Sequence, residues 1–404
     1  MLNNSLNKEW KTDFFRIFAT EHDNVEELEK ADKLKFEHFP PVIGNFYTDL
    51  VDEETLRTIC DGKLKLSKAK LDENYNSDIL KIDYLKTIKI QLNTLMQQQI
   101  EKLHQEDPTF LSSEEKEIID NADFPFIKLM TLVYIKDTGE MTPDEQKEWK
   151  GHMNDFINQQ IVFGVINTHY TMKLYQDNNY VRLFQTPYNK KELWNEYADN
   201  RKGFCVAYDF KEISKKTATQ LKKLYPVVYV DKRLSEDDLD FEVNNVHCAS
   251  LTKVKTEVHD YDNEWMYIFN HHFTETEYAM LDNLLEPVYT QTMNHDSIQE
   301  IIKRNYLISE EDNLEYGYEK IISDLLNVIE SDEFKDEIKT SLEQVYNITD
   351  DYREVEFLKP EAIYLGTNFP ENKLQEYKKI VEGEKVRIFQ IKENDDGRLF
   401  KALI

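Results

Sequence analysis

Short strand-like blocks in this chain are interrupted by two long stretches of helical periodicity, and that alternation limits the fold more than any other feature. The blocks fall at residues 45–67, 180–184, 204–208, 225–230, 362–366 and 385–391. Each is short, apolar and flanked by turn or helix signals. In the first interrupting stretch, 77–175, Ile82, Leu85, Ile88, Leu92, Leu95, Met96 and Ile100 recur at helical spacing. Ser112 with Glu115, and Thr142 with Glu145 behind Pro143, are capping-box signatures. The second stretch, 265–350, follows the helical pattern and is strongly acidic near 332–337. No Pro/Gly/Ser-rich linker divides the chain. The expected fold is α+β: one mixed-sheet domain over 1–404, with a helical insertion at 77–175 and an acidic helical insertion at 265–350.

Within that plan, residues 8–36 read as helical, and the His38–Gly44 segment breaks the pattern. Asp52 suits the N-cap of a helix ending before Gly62, a good residue just past a helix end. Residues 63–67 alternate as a strand, so 45–67 is a strand–helix–strand unit.

Glycine and proline number ten each in 404 residues, which favours long helices over a turn-rich sandwich. The formal net charge is −28, so the surface repels nucleic acid and anionic membrane. Lys190, Lys191, Arg201, Lys202, Lys215, Lys216, Lys222 and Lys223 form a basic cluster in this acidic chain. It reads as a solvated helix face or as an anion-binding rim. Cys60, Cys205 and Cys248 are far apart and show no metal-ligand spacing. Three cysteines and no leader-like N-terminus point to the cytoplasm. No metal site is expected: the adjacent pair His271–His272 would not face one ion from a helix.

The most specific stretch is Leu193–Phe210, where a helix or turn delivers Trp194, Glu196 and Tyr197. A lone Gly203 then opens a buried strand that stops at Asp209. This stretch closely resembles the W-x-x-Y-A-x-x-x-x-G-F-C-(I/V)-x-(Y/F)-D box of domain-of-unknown-function family 2971, a bacterial family without an established activity. Residues 46–67, 224–233, 253–266 and 359–366 are similar to further blocks of that family, in the same order. The departures are the absence of its N-D-P box in 71–78, Asp262 for its first glutamate, Met266 for its arginine, and Gln185–Thr186 where a serine is usual.

The candidate site is Glu264 as the catalytic residue, with Tyr47, Ser67, Trp194, Glu196 and Tyr197 as binding residues. Glu264 would serve as a general base or steady a cationic transition state. It also reads as a half-buried carboxylate paired with Lys253 or Lys255. Trp194 and Tyr197, three apart on one helical face, form either core anchors or a stacking platform. A first strand with an aromatic, a second ending in serine and a later glutamate also resemble the element order of ADP-ribosyltransferase-type folds. That resemblance implies NAD as substrate, an aromatic against nicotinamide and the glutamate beside the ribose cation. Two functions are carried forward. One is a NAD- or nucleotide-using transferase or glycohydrolase in phage defence or toxin action. The other is a non-enzymatic sensor or adaptor that binds a partner protein through its helical insertions.

Overall fold

The computed structural model describes residues 7–20, 24–48, 51–72, 75–76, 79–122, 125–139, 142–186, 189–243, 245–255, 263–303 and 314–404. Helix makes up 57% and strand 17%, a mixed α/β protein. The chain forms two compact units. The first comprises 1–81, 175–272 and 349–404; the second comprises 82–174 and 273–348.

In chain order, the first unit begins with α1 (Glu9–Thr20), α2 (Val25–His38), β1 (Val42–Tyr47), α3 (Glu53–Cys60) and β2 (Lys63–Lys68). The helices α4 (Tyr84–Glu106), α5 (Ser113–Asp120), α6 (Pro125–Thr138) and α7 (Pro143–Asp177) follow. Next come β3 (Asn179–Phe184), α8 (Lys191–Tyr197), β4 (Phe204–Asp209), α9 (Lys215–Leu221), β5 (Leu224–Pro226), β6 (Val228–Val230), α10 (Cys248–Leu251), β7 (Thr252–Val254) and β8 (Trp265–Asn270). The acidic helices are α11 (Glu275–Asn294), α12 (Asp296–Lys303), α13 (Leu314–Ile329) and α14 (Asp332–Tyr346). The chain closes with β9 (Tyr352–Glu356), β10 (Ala362–Leu365), α15 (Glu371–Gly383), β11 (Arg387–Glu393) and β12 (Leu399–Leu403).

Among the described residues the first unit holds two five-stranded sheets and a parallel pair, where the sequence suggests one sheet system. The first sheet, ordered β1-β4-β10-β11-β12, is mixed: β10 and β11 run parallel through the crossover helix α15, and the other neighbours are antiparallel. The second, ordered β5-β8-β3-β2-β9, is antiparallel throughout. β6 and β7 pair in parallel beside them. The two large sheets are tied together where Gly44 and Gln185 exchange backbone hydrogen bonds of 2.9 and 2.8 Å. Glycine suits this crossing, because a Cβ on residue 44 would lie 2.8 Å from Cys205 Sγ and force the thiol to shift.

Strand alternation places the cores. Ile43, Phe204, Val206 and Tyr208 of the first sheet meet Leu64, Leu66, Phe184, Trp265 and Tyr267 of the second. The outer face of the first sheet, with Phe46, Cys205 and Ala207, packs on Leu193, Trp194 and Ala198 of the α8 segment. The outer face of the second, with Val181, Met266 and Ile268, packs on Phe14 and Phe15 of α1. The second unit has its own helical core, built around Ile161, Val165, Val288, Ile321 and Leu325.

Several boundaries differ from the sequence reading. Trp265–Asn270 is a strand, so the helical stretch placed at 265–350 begins after it. Both faces of β8 are covered, so the strand lacks the polar alternation that would have marked it. The block 225–230 is two strands broken at Val227, whose N–H donates to the Glu264 carbonyl at 3.0 Å. The helix read over 8–36 is two, with Asn24 capping the second. The caps at Asp52 and Ser112 form as expected.

Candidate functional site

Helix α8 is short, and its C-terminus is closed by an unusual turn. Asp199, Asn200 and Arg201 have φ of 42, 51 and 71°, three successive left-handed residues. In this turn Arg201 N donates to Trp194 O at 3.0 Å and Gly203 N to Ala198 O at 2.9 Å, satisfying the free carbonyls of the helix end. The chain then re-enters β4 through Gly203, where a Cβ would sit 1.9 Å from Tyr47 O. Only glycine fits. Gly366 answers it from β10's end, where a Cβ would lie 2.0 Å from Arg201 O. The W-x-x-Y-A-x-x-x-x-G spacing is therefore the length of one helical turn plus its left-handed return. Its Trp194 is a core anchor with no exposed surface, edge-on to Phe46 at 5.1 Å.

The turn leaves Tyr197 at the helix end, pointing at Glu264. The Tyr197 hydroxyl donates to Glu264 Oε1. Lys253 Nζ, from β7, lies 3.4 and 3.2 Å from Glu264 Oε1 and Oε2, and 3.4 Å from the Tyr197 hydroxyl. Glu264 has no exposed surface, while the Lys253 side chain keeps 14% of its own. Burial holds the Tyr197 phenol far above its ordinary pKa, and the charge and hydrogen bond of Glu264 push it further in the same direction. Tyr197 thus stays a neutral donor at every physiological pH. The cluster is a buried carboxylate under a partly exposed ammonium and phenol, with Lys253 held in β7 opposite Tyr229 of β6.

The other expected binding residues lie apart. Tyr47 turns into the core between the sheets, stacked on Phe204 at 4.6 Å with the Arg182 guanidinium 4.7 Å from its ring. It is on the opposite side of β1 from Phe46, and so away from Tyr197. Ser67 pairs with Val181 and Tyr352. Val181 pairs in turn with Ile268. Glu264 is two strands across and four residues along from Ser67, roughly 16 Å by strand geometry. Glu196 is exposed beside Tyr197. The structure therefore joins Tyr197 to Glu264, sets Trp194 behind them, and separates Tyr47 and Ser67.

Three members of the basic cluster are held by carboxylates. Lys191 and Arg201 both bind Glu393, at 2.6 and 2.9 Å, and Lys202 pairs with Asp199 at 3.3 Å. His271 Nδ1 meets the Arg353 guanidinium. Among the described residues there is no His/Cys/Asp/Glu group able to hold a metal, and no helix is long and apolar enough to cross a membrane. All three cysteines are buried and unpaired with one another. Tyr261 and Asp262, beside Glu264 in sequence, and part of 71–78 lie outside the described residues.

Comparison of the chain with protein-family models, with curated proteins and with solved structures finds no match in any of the three.

Proposed function

We propose that the first unit is a NAD- or nucleotide-using transferase or glycohydrolase, acting in phage defence or as an intracellular toxin, with its chemistry at Glu264. The observation that carries this reading is the Tyr197–Glu264–Lys253 cluster. A carboxylate cut off from solvent needs partners, and here a phenol and an ammonium supply them. In this reading the carboxylate steadies a cationic sugar transition state, Tyr197 fixes its orientation, and Lys253 receives the substrate phosphate. The site is smaller than the ADP-ribosyltransferase-like cradle, because Tyr47 and Ser67 have no part in it. The chain is read as a divergent member of family 2971. In support, the five similar blocks supply β1–β2, β3–β4, β5–β6, β7–β8 and β10, all in the first unit.

The test is nicotinamide release, and label transfer from NAD, by the wild type and Glu264→Gln. Losing one electrostatic stabiliser of a charged transition state lowers turnover on the order of 100–1000-fold. Equal activity in the two proteins removes Glu264 from catalysis. No activity in the wild type, with and without lysate or phage components, removes the enzymatic reading.

A second reading, a sensor or adaptor for a partner protein, is favoured by charge segregation. The helical unit carries 33 acidic against 14 basic residues, a formal charge of −19 out of −28. Ile90, Phe156 and Phe163 are exposed on its helices α4 and α7. Under this reading, charge reversal on α11 and α14 abolishes cellular activity while Glu264→Gln leaves it unchanged.

A further inference from the structure

The last rung of the β3–β8 ladder pairs Phe184 with Trp265. One residue further, Gln185 falls opposite Glu264. Beyond that, Asn263 Nδ2 donates to Thr186 Oγ1 at 3.3 Å, so the register continues through the site. Directly opposed residues project from one face with Cβ atoms about 5 Å apart. On that register Gln185 projects from the same face of the sheet as Glu264. It is 2% exposed, and its side-chain Oε1 has no hydrogen-bond partner among the described residues. A buried acceptor left without a donor is rare and calls for a physical reason.

We propose that Gln185 is a ligand-recognition residue of the Glu264 site, and that its side-chain carbonyl and the Glu264 carboxylate accept the two hydroxyls of a vicinal diol, as on a nucleoside ribose. The chemistry selects that class. Two side chains of one face each offer an acceptor: the amide is neutral, and the carboxylate's partners among the described residues are a phenol and an ammonium. The ligand must bring two donors at short separation. Lys253 already fills the cationic position at 3.2 Å from Glu264, so the donors brought to this pair are neutral hydroxyls. The same ammonium matches a phosphate on the ligand, and drawing it off Glu264 opens the carboxylate to the diol. The proposal rests on the nucleotide reading above and adds the residue that reads the sugar.

The test uses the full chain, with ADP-ribose and its 2′-deoxy analogue as probes in titration calorimetry. The wild type binds ADP-ribose on the order of tenfold more tightly than the 2′-deoxy form, the effect of one hydroxyl hydrogen bond. Gln185→Met, which removes the orphaned acceptor at equal length, stays folded and binds both probes alike. A wild type that does not distinguish the probes overturns the proposal, and this comparison stands even if Gln185→Met fails to fold. A folded Gln185→Met that keeps the discrimination also overturns it. NAD turnover that depends on Glu264 but ignores the 2′-hydroxyl defeats this inference alone. Absence of both turnover and ADP-ribose binding defeats it together with the nucleotide reading.

Discussion

The Tyr197 hydroxyl reaches the Glu264 carboxylate across 67 residues of sequence, joining the end of α8 to the start of β8. Lys253 completes the contact from a third element. Three segments thus converge on one buried negative charge.

That charge makes its own test. Lys253→Met leaves Glu264 buried without its cation and lowers stability by about 3 kcal/mol. Adding Glu264→Gln removes the uncompensated charge and recovers much of the loss, so the double variant is far more stable than the two single losses predict. Chemical denaturation of the four proteins measures the coupling; additive losses would mean that the pair does not interact.

Gly203→Ala places a Cβ on the Tyr47 carbonyl, with backbone on both sides of the clash. The expected loss exceeds about 3 kcal/mol, among the largest for one methyl group. Asn200→Gly, by contrast, relieves a left-handed non-glycine residue and changes stability by less than about 1 kcal/mol. Melting temperatures of the two variants should diverge widely.

Met266→Arg introduces the residue that stands at this place in the block the sequence resembles. Met266 is 3% exposed among Val181, Ile268 and the α1 aromatics, so the guanidinium would be buried in apolar surroundings. A drop of about 3 kcal/mol or more is expected. A neutral effect, read by thermal melting, would show that the outer face of the second sheet has room for a cation.

Acid weakens the helical unit through His169. Burial pulls this imidazole down to about 4, and the Lys173 and Lys335 charges act in the same direction. Its folded pKa lies below the unfolded value of 6.5, so the unfolded state binds the proton more readily. The stability held above pH 6.5 is therefore lost as pH falls from 6.5 through 4, by at most about 3 kcal/mol. Denaturant midpoints at pH 7, 6 and 5 should fall, and His169→Gln should flatten the slope.

Much of the architecture could be read from local pattern. The caps at Asp52 and Ser112, the strand–helix–strand over 45–67 and the helices of 82–174 follow from signals within a few residues. β8 was missed because a strand buried on both faces has no polar rhythm, and its apolar run fits a helix equally well. β9 and β12 escaped for the opposite reason: they are edge strands with largely exposed residues. Trp194 and Tyr197 were singled out together, but only packing separates them, the indole into the core and the phenol onto Glu264. Gln185 carried one signal, its place where a serine is usual in the family-like block. Its position opposite Glu264 depends on strand register between residues 79 apart, which no local pattern encodes.

The position of β10 between β4 and β11 sets the order in which the molecule can be assembled during synthesis. All residues of the helical unit have emerged by 348, whereas the strand that covers β4 begins only at Ala362. A nascent chain in that interval carries a finished set of helices and a sheet with an open edge along Phe204–Asp209. That edge is apolar and ready to pair with another chain. Slowed translation just before Ala362 should therefore favour aggregates joined through β4, and rapid delivery of the last strands should protect against them.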